Sequence, residues 1–264
     1  MQLNTEKMIG EKEGGIGWMT FNNPARRNAM ALEMWSAVEA ILDEFESDDA
    51  IKVIVMKGAG DKAFVSGADI SEFQERRNNA EAAAEYARIS EGARARLMGT
   101  KKPLIAMIQG YCLGGGMAVA MAADMRFASD DSQFGIPAAR LSIAYGFDGL
   151  HKLVHLVGPA LASEIMFTAR RVEPEEAQRI GLINRAVPLD DLESTVREVA
   201  DAICRNAPLS INASKYTIGQ ILTDKDDRDY DEIKRLSKMC FDSNDYKEGR
   251  EAFMEKRSPV FSGS

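Results

Sequence analysis

Two glycine-containing segments hold the residues whose types and spacing could do chemistry. Residues 64–70 read FVSGADI, and residues 110–116 read GYCLGGG. Because glycine has no side chain, each segment can leave a backbone N–H group exposed to a bound molecule. A pair of fixed N–H donors stabilises the negative charge that develops on oxygen when an enolate or a tetrahedral anion forms. Neither segment matches the glycine pattern of a phosphate-binding or dinucleotide-binding loop.

These segments resemble the paired oxyanion-hole segments of the crotonase (enoyl-CoA hydratase/isomerase) superfamily. The resemblance covers nearly the whole chain and is carried further by residues 21–30, 101–106, 123–137 and 242–257. It implies an α/β fold, a crotonase-like spiral of ββα units with a C-terminal helical trimerisation region. The implied division is an acyl-CoA-binding core at 1–200 and a C-terminal helical region at 201–264. In the family, the N–H groups at the positions of Ala68 and Gly115 point at the thioester oxygen of an acyl-CoA.

Both catalytic glutamates of a hydratase in this family are missing. The resemblance places them at Ala118 and Ala138, and an alanine side chain cannot move a proton. Adding water to an enoyl double bond needs a base for the water and an acid for the α-carbon, each contributing roughly 10²–10⁴-fold. A double-bond isomerase needs at least one carboxylate. Decarboxylation needs no base, because the departing carbon dioxide leaves its electron pair behind in the enolate.

Two polar residues near Ala138 are candidates for the missing groups. Tyr145 stands where hydratases commonly carry proline, and it resembles the active-site tyrosine of bacterial methylmalonyl-CoA decarboxylase. That enzyme has a histidine at the position of Ala68, where this chain departs from it. The alternative for Tyr145 is a half-buried core aromatic whose hydroxyl is satisfied. Related dienoyl-CoA isomerases and dehalogenases carry an aspartate close to Asp148, although a carboxylate is favoured at a helix N-terminus in any case.

The resemblance also implies which residues bind the coenzyme A portion of the substrate. Loop residues would line the groove, and two residues of the last helix would reach the nucleotide of a neighbouring subunit. Solvated surface is the alternative for the charged ones. Asp69 would fix its own loop by hydrogen bonds to the backbone rather than transfer a proton. The predicted residues are Arg26, Arg27, Lys62, Ser66, Ala68, Asp69, Ile70, Phe253 and Lys256.

Composition limits the class of protein. The chain has 264 residues, of which 45 % are apolar and 28 % charged, as in a globular domain with a large core. A net charge of −8 argues against nucleic acid as a partner, because phosphates bind basic surfaces. The longest apolar run is too short for a membrane span. With no signal sequence and three widely spaced cysteines, the expected location is the cytoplasm.

The remaining reactive side chains are assigned structural roles. His151 and His155 stand four residues apart on a predicted helix, but the glutamate of an H-E-x-x-H motif is missing, so no metal is expected. Cys112 has no histidine nearby in the sequence, which indicates a small buried thiol rather than a nucleophile. No cofactor is expected, since coenzyme A is part of the substrate.

Hydrophobic periodicity predicts the elements that must position these residues. Strands are predicted at 16–21, 53–56 and 104–108, the first of them paired with the segment before Gly14. Helices are predicted at 31–45, 80–98 and 114–123, and the pattern becomes helical from residue 150, with connections at 168–172 and 181–184. Four successive helices are predicted at 196–204, 211–222, 230–241 and 246–256.

The sequence therefore predicts a metal-free acyl-CoA lyase whose chemistry passes through a thioester enolate. The leading reaction is decarboxylation of a malonyl-type CoA, with Tyr145 positioning the carboxylate. One alternative is an atypical enoyl-CoA hydratase or isomerase that uses Asp148 or another group. The other is a non-catalytic acyl-CoA-binding protein. The expected assembly is a homotrimer or a dimer of trimers, with Phe241, Phe253 and Met254 as buried contacts.

Overall fold

Ten strands in the described part of the chain form two sheets. The computed structural model describes residues 1, 3–69 and 80–264. The first sheet has six strands and the second has four, and all neighbouring strands are parallel except for the first two and the pair at the end of the second sheet. In chain order the strands are β1 (Met8–Glu13), β2 (Ile16–Phe21), β3 (Val53–Gly58), β4 (Ala63–Val65), β5 (Leu104–Ile108), β6 (Tyr111–Leu113), β7 (Met125–Ser129), β8 (Gln133–Gly135), β9 (Arg171–Val172) and β10 (Arg185–Val187).

From β3 to β8, successive strands alternate between the two sheets, and this alternation produces the spiral. The order is β1-β2-β3-β5-β7-β10 in the first sheet and β4-β6-β8-β9 in the second. Thus β3, β5 and β7 each pass the chain to the second sheet through β4, β6 and β8. The helices Ala80–Met98 and Gly115–Ala122 return the chain to the first sheet, whereas the helix after β8 leads to β9 in the second sheet and a further helix leads from β9 to β10. This arrangement confirms the predicted α/β spiral of ββα units.

Nine α-helices lie in the described part of the chain. None of them is both long and apolar enough to cross a membrane. Helix α4 contains a kink at Gly158, which has a φ of +78° and precedes Pro159. The helices are α1 (Leu32–Ser47), α2 (Ala80–Met98), α3 (Gly115–Ala122), α4 (Phe147–Thr168), α5 (Pro174–Arg179), α6 (Leu189–Arg205), α7 (Pro208–Ile221), α8 (Tyr230–Asp242) and α9 (Asn244–Glu255).

The central strands of the first sheet are buried on both faces. Ile54 and Leu104 pack into the main core, which also contains the apolar face of α1. On the opposite face, Val55 and Ile105 pack with Val196 of α6. Both faces of a parallel sheet are normally covered in this way, which explains why β3 and β5 read as continuous apolar runs. The buried sheet provides a rigid base for the loops that follow its strands.

The predicted C-terminal helices are all present, although α6 and α7 begin several residues earlier than predicted, with α7 beginning at Pro208 rather than at residue 211. Helix α6 begins at Leu189 rather than at residue 196, because Pro188 precedes it and acidic residues occupy its first turn, where the helix dipole favours them. Lys215 of α7 holds these helices to the core, with its ammonium 2.8 Å from a carboxylate oxygen of Asp124. The domain division near residue 200 and the trimeric assembly stay predictions.

The short elements differ most from the sequence prediction. The segment 168–172, predicted as a connection, contains β9, and β10 follows the second predicted connection. Strands of two or three residues are too short to show a hydrophobic period, so their tertiary pairing alone identifies them. Helix α4 begins at Phe147 rather than at residue 150.

Candidate active site

The N–H group of Ala68 is left free by the way its segment pairs with Met30. The two residues form an isolated parallel bridge, in which Met30 donates to the Gly67 carbonyl at 2.8 Å and Asp69 donates to the Met30 carbonyl at 3.0 Å. These bonds use the groups on either side of Ala68, so its own N–H points away from Met30. Gly67 has a φ of +130°, which glycine adopts without the steric cost of a side chain.

The N–H group of Gly115 is free because it opens a helix. Gly115 is the first residue of α3, and the first N–H groups of a helix have no partner within it. Gly114 precedes it with a φ of +51° and donates to the Gly135 carbonyl at 2.8 Å. Gly116 approaches β4 so closely that a Cβ atom there would lie 1.9 Å from the Val65 carbonyl oxygen. The glycines therefore let the start of α3 pack directly against the end of β4.

This packing brings the two N–H groups together. A Cβ atom built on Gly115 would lie only 3.4 Å from the backbone nitrogen of Ala68. Neither N–H group donates a hydrogen bond within the part of the chain that the structure describes. The N-terminal end of the α3 dipole lies at the same point and adds partial positive charge. The arrangement can therefore hold an oxygen atom on which negative charge develops.

Alanine methyl groups adjoin this site. Ala118 is half-buried and follows Gly115 by three residues on α3, which places both residues on one face of the helix. Ala138 is 6 % exposed in the short 3₁₀ turn Pro137–Leu141. That turn starts beside the glycines, since a Cβ atom on Gly114 would lie 3.7 Å from Cδ of Pro137. Neither position offers a group that could transfer a proton.

Tyr145 has a buried hydroxyl without a hydrogen-bond partner. Its ring packs against the main core and over Gly149, where a Cβ atom would lie 2.5 Å from Cε1 of the ring. Burial raises the pKa of Tyr145, so the phenol remains neutral near pH 7. The hydroxyl oxygen is inaccessible to water and bonds to no described residue. Tyr145 is thus the half-buried core aromatic of the alternative interpretation, but no described residue satisfies its hydroxyl, and a bound polar group could remove the cost of this unpaired donor.

Asp148 and Cys112 have ordinary structural environments. Asp148 is exposed in the first turn of α4, where the helix dipole favours a carboxylate. Cys112 is completely buried in β6, with its sulfur 3.9 Å from the sulfur of Met117. Burial raises the pKa of the Cys112 thiol, as expected for an unreactive side chain. No cluster of potential metal ligands occurs among the residues described.

Four of the residues predicted to bind coenzyme A meet at one edge of β4. The Ser66 N–H donates to the Arg27 carbonyl at 3.1 Å, and its hydroxyl donates to the Arg26 carbonyl at 3.3 Å. Arg27 and Lys62 line one small cavity of about 150 Å³. These bonds hold the loop that carries both arginines next to the segment that carries Ala68. Their contact with a ligand stays a prediction.

Comparison with known proteins identifies the family. A model of the family described as enoyl-CoA hydratase/isomerase matches residues 11–264. The chain belongs to this family. The short-chain-enoyl-CoA hydratase of Clostridium acetobutylicum is 36 % identical over 257 residues, 97 % of each chain. The crotonyl-CoA hydratase of Syntrophomonas wolfei is 35 % identical over 260 residues, 97 % of this chain and 98 % of that one.

The solved structures agree with the family. The crystal structure of an enoyl-CoA hydratase/carnithine racemase from Magnetospirillum magneticum superposes with a TM-score of 0.93 at 33 % identity, over 99 % of this chain and 97 % of that chain. An enoyl-CoA hydratase from Bacillus anthracis gives a TM-score of 0.89 at 27 % identity, over 98 % of this chain and 100 % of that chain. The predicted crotonase superfamily is confirmed, and the protein is a crotonase-family enzyme.

Two of the residues predicted for coenzyme A binding in this enzyme, Phe253 and Lys256, lie apart from the oxyanion site. Phe253 and Lys256 are exposed at the end of α9, and the cavity that Phe253 lines contains no residue of the oxyanion site. Their approach to a neighbouring subunit stays a prediction. Asp69 is buried beside Ala68, in keeping with a loop-fixing role, and Ile70 lies outside the described residues.

Sequence reasoning missed residues that organise the site. The buried side chain of Asn28 accepts from the Asn23 N–H and donates to the carbonyls of Ala59 at 2.9 Å and Ala63 at 2.7 Å, which ties three loops together. No periodicity marks such a residue; its signal is an asparagine directly after the two predicted arginines. Tyr111 and Arg171 were also missed, although both lie against Arg27.

Proposed function

We propose that this enzyme stabilises the enolate of an acyl-CoA thioester with the N–H groups of Ala68 and Gly115. The convergence of two unpaired donors at the start of α3 supports this proposal most directly. Such donors act on the charge of the transition state more than on the neutral carbonyl, and removal of one typically costs about 3–4 kcal/mol. The thioester carbonyl oxygen would sit between the two nitrogens.

The two alanines and the unpaired Tyr145 hydroxyl support decarboxylation of a malonyl-type CoA, whereas the relatives named above support hydration. In this reaction the bond between the α-carbon and the carboxylate breaks, carbon dioxide leaves, and the bonding electrons remain as the enolate. The enolate then takes one proton from solvent water at the α-carbon, which completes the balance. No group has to remove a proton, so the methyl groups of Ala118 and Ala138 suit this reaction. They also provide an apolar wall that disfavours the charged carboxylate and favours neutral carbon dioxide.

Tyr145 would orient the departing carboxylate. Its neutral, buried hydroxyl can donate one hydrogen bond and has no competing acceptor among the described residues. A single donor holds the carboxylate in place without fully compensating its charge. The glycine at position 149 leaves the space that the ring requires.

Hydration of an enoyl-CoA is the second candidate, because the relatives named above are enoyl-CoA hydratases. The family mechanism would require an acid and a base in place of the two alanines. Of the two candidate groups, the Tyr145 hydroxyl could donate a proton, and Asp148 is too exposed to match a buried carboxylate. Hydration or isomerisation would therefore proceed by a route different from that of enzymes with both glutamates.

One experiment separates the two reactions. The purified protein is incubated with malonyl-CoA, methylmalonyl-CoA and crotonyl-CoA in D₂O, and the products are followed by mass spectrometry. Decarboxylation predicts an acyl-CoA product with one deuterium at the α-carbon, and replacement of Tyr145 by Phe should slow it by roughly 10-fold or more. Turnover of crotonyl-CoA alone would instead support hydration.

A further inference from the structure

The outer face of the second sheet carries side chains without a role in the site described above. Tyr111 in β6 pairs directly with Gln133 in β8, and Gly135, two residues along β8, pairs with Arg171 in β9. Side chains two residues apart on a strand share a face, so Tyr111, Gln133 and Arg171 lie on the same face. The Arg171 guanidinium donates to the Gln133 side-chain oxygen, which fixes it across the strand.

Two guanidinium groups lie against the Tyr111 ring. The Cζ atom of Arg27 lies 5.2 Å from the ring centroid, and that of Arg171 lies 5.3 Å from it. An arginine within about 6 Å of an aromatic centroid is attracted by the ring quadrupole. We call these three residues the arginine–tyrosine stack. A single aromatic ring therefore holds two positive charges that would otherwise repel each other.

These charges are not neutralised within the described part of the chain. Arg27 and Arg171 form no ion pair there, and the same holds for their neighbours Arg26 and Lys62. Asp61 lines the cavity shared by Arg27 and Lys62, yet its carboxylate lies beyond ion-pair distance of both. The chain as a whole carries a net charge of −8, so a group of cations with no acidic partner among the described residues is suited to an anionic ligand.

The backbone around Arg27 is held in an unusual conformation. Arg27 and Asn28 have φ angles of +53° and +56°, a left-handed region that residues with side chains rarely adopt. The hydrogen bonds of Asn28 and Ser66 impose this conformation on the loop. Strained residues that their surroundings fix in this way are concentrated at ligand sites, because they present a group in a preset position.

We propose that Arg171, together with Arg27, binds a phosphoryl group in the nucleotide portion of the acyl-CoA substrate. The planar guanidinium presents paired donors that fit phosphate oxygens, and both groups are oriented before the ligand arrives. Arg171 thus becomes a binding residue in β9, a strand that contains neither of the two oxyanion donors. The inference rests on the proposed function, because it requires a substrate that carries phosphates.

Direct binding measurements test this inference without turnover. Isothermal titration calorimetry of the whole protein is carried out with CoA, 3′-dephospho-CoA and pantetheine. Replacement of Arg171 by Gln should raise the Kd for CoA by roughly 10-fold, the loss of one charged hydrogen-bonded contact. It should leave the Kd for pantetheine, which has no phosphate, unchanged. Arg171→Lys should recover only part of the affinity, because lysine cannot make the paired contact.

Arg185 on β10 supplies a matched control, since it is an exposed strand arginine in the other sheet. Arg185→Gln should leave every Kd unchanged. If Arg171→Gln loses affinity for CoA alone, Arg171 lies at the 3′-phosphate. If it loses affinity equally for dephospho-CoA, Arg171 lies at the diphosphate. An unchanged Kd in a folded Arg171→Gln protein would overturn the inference. If the unmodified protein failed to bind CoA, the proposed function itself would fail.

Discussion

The oxyanion site and the C-terminal helices differ in how far their apolar side chains are buried. At the site, Phe64 and Val65 are completely buried, and residues of the same chain form the close contacts between β4 and α3. On the last helices, Phe241, Phe253 and Met254 are 62 %, 82 % and 80 % exposed. These helices also border a largely apolar cavity of about 850 Å³ that opens to the outside.

This difference separates a site that one chain can form by itself from a surface that a partner could cover. The site depends on backbone groups held by buried glycines, so a single chain can build it. The C-terminal helices expose contiguous apolar surface, which marks an interaction site in a soluble protein. Changes at the site should therefore alter catalysis or stability, and changes on the helices should alter assembly.

Gly115→Pro should have the largest effect on activity. Proline has no N–H, so one of the two oxyanion donors disappears, and turnover of an acyl-CoA should fall by roughly 10²–10³-fold. Proline is well accepted at the first position of a helix, so circular dichroism should show a folded protein. Gly115→Ala keeps the N–H, so its turnover of an acyl-CoA should fall much less. Near-normal turnover by a folded Gly115→Pro protein would contradict the assignment.

Gly116→Ala should lower stability most clearly. The added methyl would meet the Val65 carbonyl, and forcing it into a packed core typically costs about 1–3 kcal/mol. For a protein of this size, each kcal/mol lowers Tm by about 2–4 °C, which calorimetry can measure. Gly219→Ala on α7 is the matched control, because a Cβ atom there has no neighbour within 4 Å. That change should preserve or raise Tm, so a similar loss in both variants would refute the packing argument.

Restoring both glutamates should increase hydration. The double variant Ala118→Glu with Ala138→Glu should hydrate crotonyl-CoA about 10-fold or more faster than the unmodified protein. Each single variant should gain little, because an acid and a base that act together are not additive. Burial would raise the pKa of one carboxyl and keep it protonated as the acid. Rapid hydration of crotonyl-CoA by the unmodified protein would show that another group already acts as the acid or the base.

Changes on the last helix should weaken assembly with little effect on the fold. Phe253→Asp with Met254→Asp should shift a trimer or hexamer toward smaller species in light scattering at micromolar concentration, because charge disfavours an apolar interface. Phe167→Asp is a control with similar exposure, at 79 %, on α4 outside these helices. If the unmodified protein were already a monodisperse 29.0 kDa species, the assembly prediction would be wrong.

Long elements and the two glycine segments could be predicted from the sequence. Helix α2 and strand β5 occur with the predicted bounds, because α2 is a long alanine-rich segment and β5 is a short continuous apolar run. Most of the short strands of the second sheet could not be predicted from the sequence. Their two or three residues pair with strands far away in the chain, so local pattern contains little information about them.

The amino-acid sequence by itself determined the glycines, the missing glutamates and the buried face of each long element, because these depend on residue type and spacing. Tertiary structure decided which groups meet. It alone placed the Ala68 and Gly115 N–H groups side by side, left the Tyr145 hydroxyl buried without a partner, and set Arg27 and Arg171 against Tyr111. These contacts join residues that lie far apart in the chain, and such distances are set only when the strands, helices and loops pack together.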